Sequence, residues 1–324
     1  MKRKYNFDEL SLQYGFSARE IEKVCRISDV LEDISAVKFL SDRLSLYGGT
    51  ALTFIHSTEI LRLSIDLDFN YRHTSNSDWG DVRKEIDKRL KDLIYRQQYR
   101  RGTIAINASY PLTRFTITYT NAQGSEDNFK IEIGYLRRTP ILKTDTSADF
   151  RHIGTKETFK TTTPAREELF ANKWCTLLYR TTPRDLFDVY QITKMKFNHD
   201  VFRKCAIIDS LTHEKPKIHK INPEGVAQIP LDSSLRNLLQ TERLSQYDFA
   251  KIAKEVEEFT KKHLSSMTKN EIKAVEEFYD KKIFSPNTVD NTMLLNEQIA
   301  EYPAILWTLK QIKKEMEIQK AKDS

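Results

Sequence analysis

Residues 48–52 read Gly48-Gly49-Thr50-Ala51-Leu52, and residues 62–69 read Arg62-Leu63-Ser64-Ile65-Asp66-Leu67-Asp68-Phe69. These two stretches, one short helix apart, decide the reading of the chain. In the second, Ser64, Asp66 and Asp68 alternate with Ile65, Leu67 and Phe69, the period of a half-buried strand. A strand over 64–70 carries two carboxylates on one face, about 7 Å apart at Cα. Carboxylates that close repel each other unless a cation sits between them. The Gly-Gly turn that opens the upstream helix presents backbone N–H groups suited to phosphate. Metal beside phosphate points to phosphoryl or nucleotidyl transfer.

Working outward, residues 44–47 form a short strand into the turn and 50–57 a short helix. Residues 17–43 read as a helix, with Ser17 as N-cap and Glu20 three residues on. Its apolar positions Ile21, Val24, Ile27, Val30, Leu31, Ile34, Val37 and Leu40 keep helical spacing. A second long helix spans 78–101 and bears Arg83, Lys84, Lys88, Arg89, Lys91, Arg96, Arg100 and Arg101. Three strand-like runs follow, 103–110, 112–120 and 128–136, with Pro111 and the stretch 121–124 as turns. Their connections are too short for crossovers, so they pair antiparallel. Residues 140–163 read as irregular. Helices then run over 164–180, 183–196, 200–212, 246–263, 268–279 and 289–321, with a linker over 214–233. The fold class is α+β: a mixed sheet with flanking helices over 1–155, then an all-helical domain over 156–324 that closes the active-site cleft.

Composition bounds the function classes. The chain has 324 residues, 39% hydrophobic and 30% charged, with net charge +6. Its mean hydropathy is −0.57 and its pI about 8.9. It holds no apolar run long enough to span a membrane, and the basic start lacks the apolar core of a secretory signal. Three widely spaced cysteines make neither a zinc pattern nor a disulfide framework, which fits the cytoplasm. The mild basicity is compatible with a nucleic-acid partner.

A third carboxylate comes from the run Phe129-Lys130-Ile131-Glu132-Ile133, which alternates again. If this strand neighbours 64–70, Glu132 joins Asp66 and Asp68. Two or three carboxylates with substrate phosphates make a normal Mg²⁺ site. Two such ions suit the α-phosphate and the leaving pyrophosphate. An Asp-x-Asp alone is also what a solvated strand face shows. The upstream Gly-Gly-Thr and the Glu132 strand favour the metal-site reading. Ser64 shares the aspartate face, where it can bond a phosphate or order an aspartate, and Arg62 continues the alternation and can contact triphosphate; an ordinary surface residue is the alternative for each.

Lys173 is an anomaly in the helix 164–180. It stands within the apolar stripe of Leu169, Phe170 and Leu177, where an ammonium needs a partner. Its functional reading is a charge directed into the cleft, touching the triphosphate; a lysine snorkelling at the stripe's edge is the alternative. The segment from Arg180 to Tyr190 has a complete structural reading. Thr182 caps a helix with Pro183 first, Asp185 meets the helix dipole, and Arg184 and Asp188 are spaced as an ion pair. The basic helix, through Arg83, Lys84, Lys88, Arg96 and Arg100, is the candidate RNA footprint. A solvated face is its alternative, since Glu85, Asp87 and Asp92 are interleaved. The charge run 313–322 mixes Glu with Lys and reads as a solvated helix end.

Taken in order, Gly48-Gly49-Thr50-Ala51-Leu52, Arg62 to Phe69, Lys130-Ile-Glu132-Ile, Glu168 to Lys173, and Arg180 to Asp188 resemble the AbiEii/AbiGii nucleotidyltransferase toxin family, which includes the MenT toxins. The match runs from about 46 to 190. The resemblance implies a polymerase-beta-like nucleotidyltransferase core with a helical C-terminal domain, Mg²⁺ and a nucleoside triphosphate. It makes Asp66 and Asp68 metal ligands and Lys173 a triphosphate contact. It draws either Asp185 or Asp188 into the active site. It also implies a type IV toxin–antitoxin or phage-defence role, a cognate antitoxin, and in some members nucleotide addition to the tRNA 3′ end. One departure is that the related motif is often Gly-Ser, which leaves the hydroxyl to Thr50.

The leading expectation is a Mg²⁺-dependent nucleotidyltransferase toxin acting on tRNA. In this reading Gly48, Gly49 and Thr50 hold the β- and γ-phosphates, while Lys173 and Arg62 neutralise charge. A transferase with a protein or small-molecule acceptor is the second reading. A non-catalytic module that sequesters RNA or a partner is the third.

Overall fold

The computed structural model describes residues 3–73 and 78–323, and they form two compact units. The first comprises Met1–Tyr135, Asp145–Pro164 and Ser233–Tyr247. The second comprises Leu136–Thr144, Ala165–Asp232 and Asp248–Ser324. Neither unit is continuous in sequence. Residue 155, where the sequence pattern changes, lies in a turn of the first unit.

The first unit holds a five-stranded sheet of β1 (Leu44–Tyr47), β2 (Leu67–Tyr71), β3 (Ile104–Asn107), β4 (Leu112–Thr120) and β5 (Glu126–Gly134). The strand order is β1-β2-β5-β4-β3. The short connections make β3, β4 and β5 antiparallel, whereas β2 and β5, far apart in sequence, pair in parallel. Leu46 pairs with Phe69, Phe69 with Ile133, Leu67 with Ile131, and Ile131 with Phe115. All of these side chains are buried on one face. Burying each such side chain stabilises by about 1.5–3 kcal/mol. A one-residue slip would turn them all to the other face, so the core fixes the register.

Two helices cover that apolar face. Ala18–Ala36 brings Arg26 to 3.9 Å from the Tyr119 ring. Trp79–Arg96 brings Arg83 to the Thr113 hydroxyl (3.1 Å), and Tyr135 donates to its Asp87 (3.4 Å). The opposite face carries Ser45, Tyr47, Asp68, Asn70, Arg114, Thr116, Lys130 and Glu132.

Several sequence expectations change. The helix expected over 17–43 ends at Ala36, where Val37 turns extended, and one further turn spans Lys38–Ser41. The helix expected to 101 ends at Arg96: Gln98 adopts φ +67°, and the buried Gln97 side chain donates to the Asp29 carbonyl and to Asp33. The strand expected over 64–70 begins only at Leu67. Residues 140–163, read as irregular, contain the antiparallel hairpin β6 (Thr146–His152) and β7 (Glu157–Thr163). Threonine and charge mask its alternation, which packs Phe150 on Phe159 with centroids 5.1 Å apart.

The second unit is helical. Its main helices are Arg166–Arg180, Pro183–Thr193, His199–Ser210, Phe249–Ser265, Lys269–Glu276 and Pro303–Asp323. Trp174 packs against Phe202 and donates to Thr260 (3.1 Å) in its core. The helix expected over 289–321 is divided, because Asn296 caps a separate turn, Glu297–Glu301, and the long helix starts at Pro303. Most side chains of the charge run 313–322 lie outside the described residues. Cys25, Cys175 and Cys205 are buried and unpaired. Among the described residues no helix is long and apolar enough to cross a membrane.

Candidate active site

The glycine turn is built by close approach. Gly48 follows β1 with φ +75°, a region that favours glycine. A Cβ at Gly48 would lie 2.6 Å from Asp68 Oδ2. A Cβ at Gly49 would lie 2.6 Å from a terminal nitrogen of Arg62 and 2.8 Å from Ser64 Oγ. Both glycines therefore let the backbone close onto Asp68, Arg62 and Ser64. The helical turn Gly48–Ala51 continues as a π-helix, Leu52–His56. Arg151 of β6 closes its far end by donating to the carbonyls of Thr53 (2.7 Å), Thr58 (2.9 Å), Phe54 (3.3 Å) and Ser57. Thr53 and Phe54 belong to the last turn, whose carbonyls a helix end leaves without partners. Burial holds the Arg151 pKa below its ordinary value.

The Thr50 hydroxyl, which the motif offered to phosphate, is buried and serves the turn. It donates to the Asp66 carbonyl (2.5 Å) and lies 3.0 Å from Ser64 Oγ. Arg62 is also buried and donates to the Leu63 carbonyl (2.8 Å). Ser64 and Asp66 precede β2 rather than lying in it, with Asp66 in the bend that enters the strand. The loop is set by Thr50, so alternation alone does not describe it.

Asp68 lies in β2, half-buried, opposite Tyr47 on one side and Glu132 on the other. Glu132 in turn lies opposite Arg114, and Arg114 opposite Asn107. Tyr47, Asp68, Glu132, Arg114 and Asn107 thus form one row across the sheet, strands about 4.8 Å apart. The parallel register of β2 and β5 brings Glu132 beside Asp68. Its carboxylate, however, accepts from Arg114 Nε at 2.6 Å. Among the described residues, no three or more His, Cys, Asp or Glu side chains stand together as a ready-made metal cluster. The donor set still fits Mg²⁺, which usually takes one or two carboxylates and completes its shell with water and substrate phosphates.

Lys173 finds its partner within the second unit. The buried ammonium lies 2.7 Å from Asp188 Oδ2 and 3.9 Å from Asp185 Oδ1. Asp185 also accepts two hydrogen bonds from Arg180 (2.8 and 2.9 Å) and one from Thr182 (2.5 Å). Thr182 caps the helix as expected. Asp188 pairs with Lys173, whereas Arg184 makes no ion pair among the described residues. Lys173, Asp185 and Asp188 therefore form one buried ionic cluster.

The basic helix is less free than its composition suggests. Arg83 donates to the Ala108 carbonyl (2.7 Å) and lies 4.8 Å from the Tyr135 ring centre. Lys84 pairs with Asp81, and Arg89 with Glu85. Lys88, Arg96 and Arg100 are exposed. Sequence reading missed Arg114 and Arg151. Arg114 sits on an alternating strand and was legible as facing the carboxylates, but its partner depended on the strand order. Arg151 had no local signal.

The mixed sheet thus sets Asp68 beside Glu132, with a Gly-Gly turn pressed onto Asp68. The sequence profile of the AbiEii nucleotidyl transferase toxin family, type IV toxin–antitoxin system, matches residues 29–281. The chain belongs to that family and is a nucleotidyltransferase toxin of a type IV toxin–antitoxin system. Its fold is similar to that of MenT4, a nucleotidyltransferase toxin from Mycobacterium tuberculosis H37Rv. The TM-score is 0.62 at 14% identity, covering 88% of this chain and 98% of that one. No curated protein matches the chain.

Proposed function

We propose that this transferase moves nucleotides from a nucleoside triphosphate to an RNA acceptor, the tRNA 3′ end, in a Mg²⁺-dependent reaction that blocks translation in the cytoplasm. The observation that carries the reading is the glycine turn closed onto Asp68, with Glu132 next in the same row. Asp66 and Asp68 are the residues to hold the metal, with Glu132 beside them. Bound there, Mg²⁺ supplies charge neutralisation at the α-phosphate and the leaving pyrophosphate. The backbone N–H groups of the glycine turn suit the β- and γ-phosphates. The RNA hydroxyl oxygen attacks the α-phosphorus, the α–β anhydride bond breaks, and pyrophosphate leaves. The carboxylates of the row are the bases available to the hydroxyl proton. Type IV membership implies a cognate antitoxin.

The test incubates the protein with each labelled triphosphate, total RNA and lysate protein. Label is expected on RNA of tRNA size, only with Mg²⁺. Asp68→Asn is expected to lower transfer on the order of 10²–10⁴-fold and to relieve growth inhibition. Label confined to protein would sink the RNA acceptor. A folded, fully active Asp68→Asn variant would sink the metal site.

A further inference from the structure

Beyond the carboxylates, their face of the sheet carries two cations that the transfer chemistry has not used. Arg114 is exposed on β4, and only its Nε is engaged, by Glu132. Its guanidinium is ion-paired with Glu132, but its two terminal nitrogens make no hydrogen bond among the described residues. Lys130 lies on β5 two residues before Glu132, half-buried, opposite Thr116. Its ammonium likewise has no ion pair among the described residues. In this antiparallel pair Arg114 and Lys130 are diagonal neighbours on one face, about 7–8 Å apart at Cα.

We propose that Arg114 and Lys130, with the Thr116 hydroxyl, form a subsite for a backbone phosphodiester of the RNA acceptor. The inference rests on the RNA-acceptor reading and adds where the acceptor lies. A guanidinium anchored by one edge on a carboxylate presents its other edge as a fixed fork, the geometry that matches phosphate oxygens. Lys130 supplies a second, mobile charge beside it. The position selects the acceptor over the triphosphate. The glycine turn follows β1 and touches Asp68 of β2, whereas Arg114 is on β4, two strands or about 10 Å beyond Asp68. In an in-line displacement the attacking and leaving oxygens lie on opposite sides of the phosphorus. With the pyrophosphate at the glycine turn, the attacking strand comes from the β5–β4 side. Phosphate contacts position a strand without reading its sequence, so this subsite orients any RNA the enzyme accepts.

The test measures steady-state transfer with total tRNA and with a short single-stranded RNA, varying RNA, triphosphate and salt. The variants are Arg114→Ala, Arg114→Lys and Lys130→Ala, each checked for folding by thermal melting. Arg114→Ala is expected to raise KM for RNA about tenfold, on every RNA sequence alike, with KM for the triphosphate unchanged. The slope of RNA affinity against log salt should fall by about 0.7 per cation removed. Arg114→Lys should recover part of the loss. An unchanged KM for RNA in Arg114→Ala overturns the proposal, as does a rise in KM for the triphosphate instead. If the wild-type protein labels no RNA, the acceptor reading itself falls. The wild-type arm shows that before any variant is compared.

Discussion

Lys173 was visible in the sequence as a fault in an apolar helix stripe. The structure answers the fault with Asp188 at 2.7 Å, both side chains buried. A buried ion pair is a weak source of net stability, but removing one partner leaves a desolvated charge. Lys173→Met should therefore destabilise the protein by about 3–5 kcal/mol, read as a shift of the urea midpoint. The double variant Lys173→Met/Asp188→Leu should recover part of that loss. An unchanged midpoint for Lys173→Met would remove the pair from the stability argument. What the sequence did not show was the pairing itself. Arg184 and Asp188 have helical spacing, yet tertiary packing hands Asp188 to Lys173. Thr50 teaches the same lesson, since its hydroxyl sits in a phosphate-like motif but bonds the Asp66 carbonyl.

Among the elements, helix Trp79–Arg96 ends five residues short of the expected 101. Its charge pattern suggested an RNA footprint, and the structure buries its apolar positions Val82, Ile86, Leu90 and Leu93. Those apolar positions turn Arg83 and Asp87 toward the sheet. Burial pushes the Asp87 carboxyl up to about 6, despite Arg83 and the Tyr135 hydroxyl. A folded pKa above the unfolded value of about 3.9 means the native state holds the proton longer. The Asp87 contribution to stability is thus greatest below about pH 4 and is lost as pH rises through about 6. Relative to wild type, Asp87→Asn should gain stability over that window. Denaturant titrations of both proteins at pH 4, 5 and 7 measure it. A constant difference across those three values would refute the buried carboxyl. Strands β2 and β5 were legible for the opposite reason, as each alternates apolar with polar side chains, Leu67 and Phe69 with Asp68 and Asn70, Ile131 and Ile133 with Lys130 and Glu132. Hairpin β6–β7 was not, because threonine and charge lie on both its faces.

For the whole molecule, the structure divides into two units, neither of them continuous in sequence. The segment Ser233–Tyr247 returns to the first unit after the chain has entered the second. There the Leu63 amide donates to the Leu238 carbonyl (2.8 Å), and the Thr241 amide to the Gly15 carbonyl (2.9 Å). Leu235, Leu238 and Leu239 are buried, each worth about 1.5–3 kcal/mol of burial. A fragment of residues 1–164 lacks them. It should melt well below the full chain or fail to melt cooperatively by circular dichroism. A fragment as stable as the full chain would show the returning segment to be dispensable.

By itself, the sequence determined the alternation that puts Asp68 and Glu132 on polar strand faces, the glycine pair at a turn where Gly48 takes φ +75°, and the helical character of the second half. Each is a local matter of period, propensity or backbone sterics. The tertiary structure decided which strands are neighbours, and with that the parallel β2–β5 pairing that sets Asp68 beside Glu132. It also decided which cation each buried or half-buried carboxylate receives: Arg114 for Glu132, Lys173 for Asp188. These are long-range choices, made by burying the apolar faces together, and no single segment encodes them.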